Sequence, residues 1–142
     1  MEEKITLYNG PNSPFGRKTK VTSLIHEIKL DEKIINVYEA DFLDKHNPIR
    51  KIPTLVVNGL CIIDSDNICL YLDSISKKNT LFPKENYWEI MSKTSIANGL
   101  MEAVLEMRME TIRPDNEKSV NFIKKQEQEQ LEQVSLENLL ID

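Results

Sequence analysis

Residues 52–64, "IPTLVVNGLCIID", hold two β-rich runs joined through Asn58-Gly59. A two-residue hairpin turn of type I′ needs positive φ at both central positions, which asparagine tolerates and glycine accepts freely, so this pair predicts a tight antiparallel hairpin. The rest of the chain must be built around that pair. Upstream, residues 4–8 alternate with Ile5 and Leu7 on one face, and "NGPNSP" then breaks the strand. Pro14 suits a first helical position with Ser13 as its N-cap. Val21, Leu24, Ile25 and Ile28 follow at helical spacing, predicting an amphipathic helix over 14–30, and Ile34, Ile35 and Val37 a second strand. Downstream of the hairpin, Ser65 is expected to cap a helix with Ile68, Leu72 and Ile75 on one face.

The first 75 or so residues therefore read as βαβ followed by ββα, an α/β arrangement with the connectivity of the thioredoxin fold. Residues 77–86 are polar and aperiodic and predict a linker between a domain at 1–76 and a partial all-α domain at 87–142. In that second part Ile90, Met91, Ile96, Leu100, Met101, Val104, Leu105 and Met107 keep a helical stripe until "RPDN" stops it. A further helix, capped near Asp115, would carry Val120, Ile123, Leu131 and Val134. A net charge of −5 argues against nucleic acid as the main partner. Cys61 and Cys69 are too far apart for a redox pair motif and suggest no disulfide framework. The start "MEEKITLY" is acidic and enters a strand at once, and no apolar run reaches membrane-spanning length, so a cytoplasmic protein is expected.

Four features in order carry a resemblance: Ser13-Pro14-Phe15 at the first helix start, "NPIRKIPTLV" at 47–56, "IIDSDNICLYL" at 62–72, and helices after a linker. Together they resemble the glutathione transferase superfamily, and the stretch "ANGLMEAVLEMRMETIRP" resembles a bacterial, serine-type subgroup of it. The resemblance implies glutathione as cosubstrate, a small electrophile as second substrate, and a homodimer. It also implies further helices past Asp142, so the chain reads as either a fragment or a natural short form, its last apolar stripes lacking their usual cover.

A transferase must hold the glutathione thiol as an anion. Serine does not ionise for this purpose, but its hydroxyl donates a hydrogen bond to the sulfur, and a helix N-terminus adds partial positive charge. Ser13 is thus the candidate catalytic residue, although a serine before proline is also an ordinary helix cap. Asn12 is the second candidate for the sulfur contact, and Phe15 joins the substrate-binding set by resemblance. The resemblance implies a cis Ile52-Pro53 bond, with the backbone of Ile52 meeting that of the tripeptide as in strand addition. The start of the helix at Asp64 and Ser65 suits the γ-glutamyl carboxylate, with Asp64 facing the ligand's amine. Lys51 has two readings of equal weight, a partner for the glycyl carboxylate or a solvated cation. Arg17 and Lys18 in the first helical turn read as solvated surface charges beside an anion site. Tyr8, Trp88 and the methionines read as core or interface residues, and Glu102 as an outside candidate for a ligand contact.

His26 and His46 lack metal-ligand spacing, and neither a phosphate loop nor a nucleophile elbow is present. A hydroxyl at position 13 excludes mixed-disulfide chemistry there. The alternative from a different class is a non-catalytic interaction or regulatory module that keeps the fold.

Overall fold

The computed structural model describes residues 4–128, and the chain divides into two compact units between Lys84 and Glu85. In the first unit, strands β1 (Ile5–Asn9), β2 (Asp31–Ile34), β3 (Thr54–Val57) and β4 (Leu60–Ile63) form one sheet in the order β2-β1-β3-β4. Strands β1 and β2 are parallel, and the other two pairings are antiparallel. Helices α1 (Pro14–Ile25) and α2 (Ser65–Ser74) connect and complete the βαβ-ββα order, and this is the thioredoxin-like arrangement.

The hairpin forms as its turn residues require: Asn58 and Gly59 take φ of 48° and 82°, and Val57 pairs with Leu60 across a two-residue loop. Its register sends Leu55 and Val57 inward with Ile5 and Leu7, where they meet Ile68 and Leu72 of α2. These six buried side chains are the core. The opposite face of the sheet is covered by a 3-10 turn at Asp41–Lys45 and the segment after it, which bury Leu43 and Asn47.

Helix α1 is shorter than the apolar pattern predicts and buries a different face. Glu27 adopts φ 55° and the Ile28 N–H bonds back to the Ser23 carbonyl, closing the helix at Ile25, so Ile28 and Leu30 pack on the core from the following turn. Val21, Leu24 and Ile25 are exposed, and Thr19, Thr22, Ser23 and His26 are buried instead. That polar stripe has the same spacing as the apolar one. It can be buried because its hydroxyls bond within their own helix: Thr19 to the Gly16 carbonyl, Thr22 to Lys18, and Ser23 to Lys20, at 2.7–3.1 Å. Small side chains then let α1 sit close to α2, with Thr22 Oγ1 3.2 Å from Cys69 Sγ and His26 Nε2 3.0 Å from Asp73 Oδ1.

The second strand also differs, running over Asp31–Ile34 rather than through Ile35 and Val37. It is an edge strand, so it needs no apolar alternation, and charge protects it from pairing outward. Lys4 and Lys33 both pair with Asp31, while Lys20 and the Asn9 amide hold Glu32. At the far end of the unit, Asp73 fastens the segment leading out of α2, accepting from the Leu81 N–H at 2.6 Å and the Thr80 hydroxyl at 2.5 Å.

The second unit contains α3 (Tyr87–Thr111) and α4 (Val120–Gln126). Helix α3 ends before "RPDN", as its sequence predicts. Helix α4 is capped by Ser119, not Asp115, which lies in a separate 3-10 turn. Glu110 explains the difference, since its carboxylate accepts from the Ser119 N–H at 2.6 Å and fixes where the second helix begins. Leu131 and Val134 lie outside the described residues. Trp88 is 81% exposed and so belongs to no core among the described residues. No helix among those residues is long and apolar enough to cross a membrane.

Candidate functional site

Strand register places three loops at one end of the sheet. Tyr8 near the end of β1 pairs with Thr54 at the start of β3, and Thr54 pairs with Ile63 at the end of β4. The β1–α1 loop with Ser13, the turn with Ile52-Pro53 and the start of α2 at Asp64-Ser65 therefore share that end.

The first loop is built on a buried asparagine. Asn9 accepts from the Gly10 N–H at 2.8 Å and donates to Glu32 at 2.9 Å, and its side chain occupies the space where a residue-16 Cβ would stand, 1.6 Å from Oδ1. Glycine at position 16, poor for a helix, is thus required in the first turn of α1. Gly10 has an equivalent reason: a Cβ there would lie 2.5 Å from Ile52 Cδ1 and 4.0 Å from the Ser13 Cβ. The backbone at Gly10 is consequently the point where the Ser13 loop and the Ile52 turn touch. Ser13 caps α1, its Oγ accepting from the Gly16 N–H at 3.1 Å. A hydroxyl oxygen accepts there while its proton stays available to donate, so capping and ligand binding are compatible.

The second loop is held from inside by Asn47, which is buried. Its amide donates to the Lys51 carbonyl at 2.8 Å and to Thr54 Oγ1 at 2.9 Å, and its Oδ1 accepts from the Ile49 N–H. Thr54 Oγ1 donates to the same Lys51 carbonyl. The Ile52-Pro53 bond is cis, with Pro53 buried and Ile52 half-buried. Asn47 stands in the motif as the first residue of "NPIRKIPTLV", and its structural part went unread in the sequence. A polar residue six positions before a turn proline gives no sign by itself of being buried.

At α2 the cap differs from the sequence reading. Asp64, not Ser65, is the N-cap, with Oδ1 accepting from the N–H groups of Asp66 and Asn67 at 2.9 and 3.3 Å. Ser65 is the first helical residue and is buried. Asp64 takes φ 75°, a conformation rare for a side-chain-bearing residue and concentrated at functional sites. The reason for the shift is the hairpin register, which ends β4 at Ile63 and leaves Asp64 as the turning residue. Lys18 is not merely solvated: its ammonium bonds Asp66, joining the first turns of α1 and α2 side by side. The carboxylate of Asp66 suits the α2 dipole and offsets the misplaced cation of α1. Arg17, Asn12, Lys51 and Asp64 are exposed, and Ser13 and Phe15 half-buried. Thus Ser13, Ile52, Pro53, Asp64 and Ser65 share one end of the sheet, rimmed by two helix N-termini, and Lys51 flanks it.

Such a site can bind an extended, acidic, peptide-like molecule: two helix starts for anionic groups and a bent strand for a backbone. Residues 7–80 match the family "Glutathione S-transferase, N-terminal domain", and the chain belongs to the glutathione S-transferase superfamily. It is 38% identical over 72 residues to glutathione S-transferase D7 of Drosophila melanogaster, covering 48% of this chain and 32% of that protein. It is 29% identical over 109 residues to maleylacetoacetate isomerase of Dictyostelium discoideum, covering 72% of this chain and 48% of that protein. The chain thus spans a third to a half of the length of these curated relatives. Among solved structures it is similar to a glutathione S-transferase of Methylobacillus flagellatus with glutathione bound, at TM-score 0.84 and 26% identity over 92% of this chain and 66% of that one. A glutathione transferase family member of Pseudomonas fluorescens, also with bound glutathione, gives TM-score 0.80 and 27% identity over 91% and 67%.

Proposed function

We propose that the chain binds glutathione and promotes attack of its thiolate on a small electrophile, in the manner of a serine-type transferase. The observation that carries this reading is the contact between Gly10 and Ile52, which sets the Ser13 loop against the strand that would receive the tripeptide backbone. In this reading the backbone of Ile52 pairs with the peptide, and Pro53 keeps the turn in place. The Ser65 N–H and hydroxyl at the start of α2 take the γ-glutamyl carboxylate, and the Asp64 carboxylate oxygen that does not cap the helix faces the amine. Lys51 takes the glycyl carboxylate at the rim. Ser13 donates its hydroxyl proton to the sulfur, and the α1 N-terminus beside it adds about half an elementary charge. Asn12 and Phe15 line the approach to that sulfur. The protein works in the cytoplasm as a homodimer.

The test uses two substitutions at one position. Ser13→Ala removes the hydroxyl and the cap, whereas Ser13→Gly removes the hydroxyl but weakens the cap by only a few tenths of a kcal/mol. Conjugation of glutathione to an aromatic halide should fall about 10²–10³-fold in both, the usual effect of deleting one donor to a developing anion. Calorimetric glutathione affinity should change only a few-fold. Unchanged turnover removes Ser13 from the mechanism. Glutathione binding without turnover of any electrophile favours the non-catalytic module, and a melting curve that millimolar glutathione leaves in place refutes the site.

A further inference from the structure

Thiol chemistry is absent from position 13, yet a thiol with a base beside it stands elsewhere in the same unit. Cys61 lies on β4, the edge strand opposite β2, and is partly accessible. Its Sγ is 3.4 Å from Nδ1 of His46, within the range of a sulfur hydrogen bond, and 3.9 Å from the Gly59 carbonyl. His46 follows the 3-10 turn that covers this face, and its ring stacks on Tyr8 at 5.8 Å between centroids. Tyr8 in turn meets Phe42 at 5.4 Å, so the imidazole is held by aromatic packing rather than left to rotate. The two carboxylates of the covering turn are engaged elsewhere, since Asp41 and Asp44 pair with Arg50, and Lys45 is the remaining charged group of that turn. Nucleophile and base within hydrogen-bond reach, with the base itself held, is the arrangement that activates a weak nucleophile.

We propose that Cys61 and His46 form a thiol–disulfide exchange site, distinct from the Ser13 site, at which the protein takes up a small disulfide as a mixed disulfide on Cys61. His46 Nδ1 accepts the thiol proton, and the Cys61 thiolate attacks one sulfur of the incoming disulfide. The Sγ–S bond forms as the reagent's S–S bond breaks, and the departing thiolate recovers the proton from His46. One thiol is oxidised to a mixed disulfide and one small thiol is released, so the incoming disulfide is the only oxidant required. Position on an edge strand gives the reagent an approach that no neighbouring strand blocks. Cys69 serves as the internal control, since it is buried against Thr22 and burial pushes its thiol up from the ordinary value.

The experiment exposes the full chain separately to oxidised glutathione and to an aromatic disulfide, and follows the product by intact mass and peptide mapping at neutral pH. One adduct is expected, on Cys61, with both reagents. The initial rate should be at least about tenfold faster in the folded protein than in the same chain unfolded in urea, a modest share of what a positioned base supplies. His46→Asn should lose that advantage while its circular dichroism stays unchanged, and Cys61→Ser should give no adduct. Equal rates for folded and unfolded chain, reaction at Cys69 before Cys61, or an unchanged rate in folded His46→Asn would each overturn the proposal. If His46→Asn unfolds, the comparison of folded and unfolded wild-type chain still decides. Use of the aromatic disulfide keeps the result independent of tripeptide recognition.

Discussion

Gly10→Ala tests the contact on which the candidate site rests. The added Cβ would lie 2.5 Å from Ile52 Cδ1, against an optimum of about 3.5–4.0 Å between carbons, so the methyl must retreat by about 1 Å. Overpacking of this kind costs about 1–3 kcal/mol, and the clash is with the end of a side chain, which places it in the lower half. Gly10 has no positive φ, so alanine fits the backbone and offsets about 0.4–1 kcal/mol by restricting the unfolded chain. A net loss of about 0.5–1.5 kcal/mol is expected. Ile52→Val removes the clashing methyl from a half-buried side chain and should cost about 0.5 kcal/mol alone. In the double variant the clash has no partner, so it should be no less stable than Ile52→Val. The coupling energy is then about 1–2 kcal/mol, well outside the 0.3–0.5 kcal/mol within which independent changes add. Urea unfolding followed by circular dichroism measures all four corners of the cycle, and glutathione titration measures them again for affinity. Gly10→Ala should weaken binding, because the displaced Ile52 carries the proposed backbone contact, and the second change should restore it. Additive stabilities, or a double variant that binds as poorly as Gly10→Ala, would refute the reasoning.

Gly16→Ala should be far more damaging than its helix propensity suggests, because the new methyl falls on the Asn9 side chain and breaks its bonds to Gly10 and Glu32; a loss above about 2 kcal/mol in urea is expected. Glu32 supplies a pH test. Its carboxyl is held below the ordinary value, chiefly by the Lys20 ammonium and then by the Asn9 amide. A depressed folded-state value means stability that is present above the unfolded value, about 4.3, and lost as pH falls through the folded one. Glu32→Gln should therefore lower the melting temperature at neutral pH and flatten the acid side of its profile, the two proteins converging at low pH where the wild-type carboxyl is protonated. Asp73→Ala removes the acceptor for Leu81 and Thr80 and the carboxylate beside buried His26, and a loss of about 2–4 kcal/mol in the urea midpoint is expected.

The parts of the fold legible in the sequence were those fixed by local geometry. Asn58-Gly59 could hardly be anything but a hairpin turn, and the inward alternation of Leu55 and Val57 follows from the pleat once the turn is set. Ser13-Pro14 marked the start of α1 by the same kind of rule. Motif resemblance supplied the cis Ile52-Pro53 bond, which the dipeptide alone could not.

Local pattern failed where two answers fitted it equally. The stripe Val21, Leu24, Ile25 and the stripe Thr19, Thr22, Ser23, His26 share one spacing, and hydrophobicity favoured the first. The packed structure chose the second, because small hydroxyl side chains bonded to their own helix let α1 and α2 approach closely. Asp31–Ile34 lacked a strand pattern because an edge strand held by ion pairs does not need one. In the sequence Asn9 read as part of a strand-breaking loop, Asn47 only as the first residue of a motif, and Gly16 as a position inside the first helix. Tertiary structure made them the supports of the site, since a polar group's burial depends on which distant backbone comes to satisfy it. The sequence determined the turns, the order of elements and the chemistry available at position 13; only the folded chain decided which faces touch, and hence which side chains stand together.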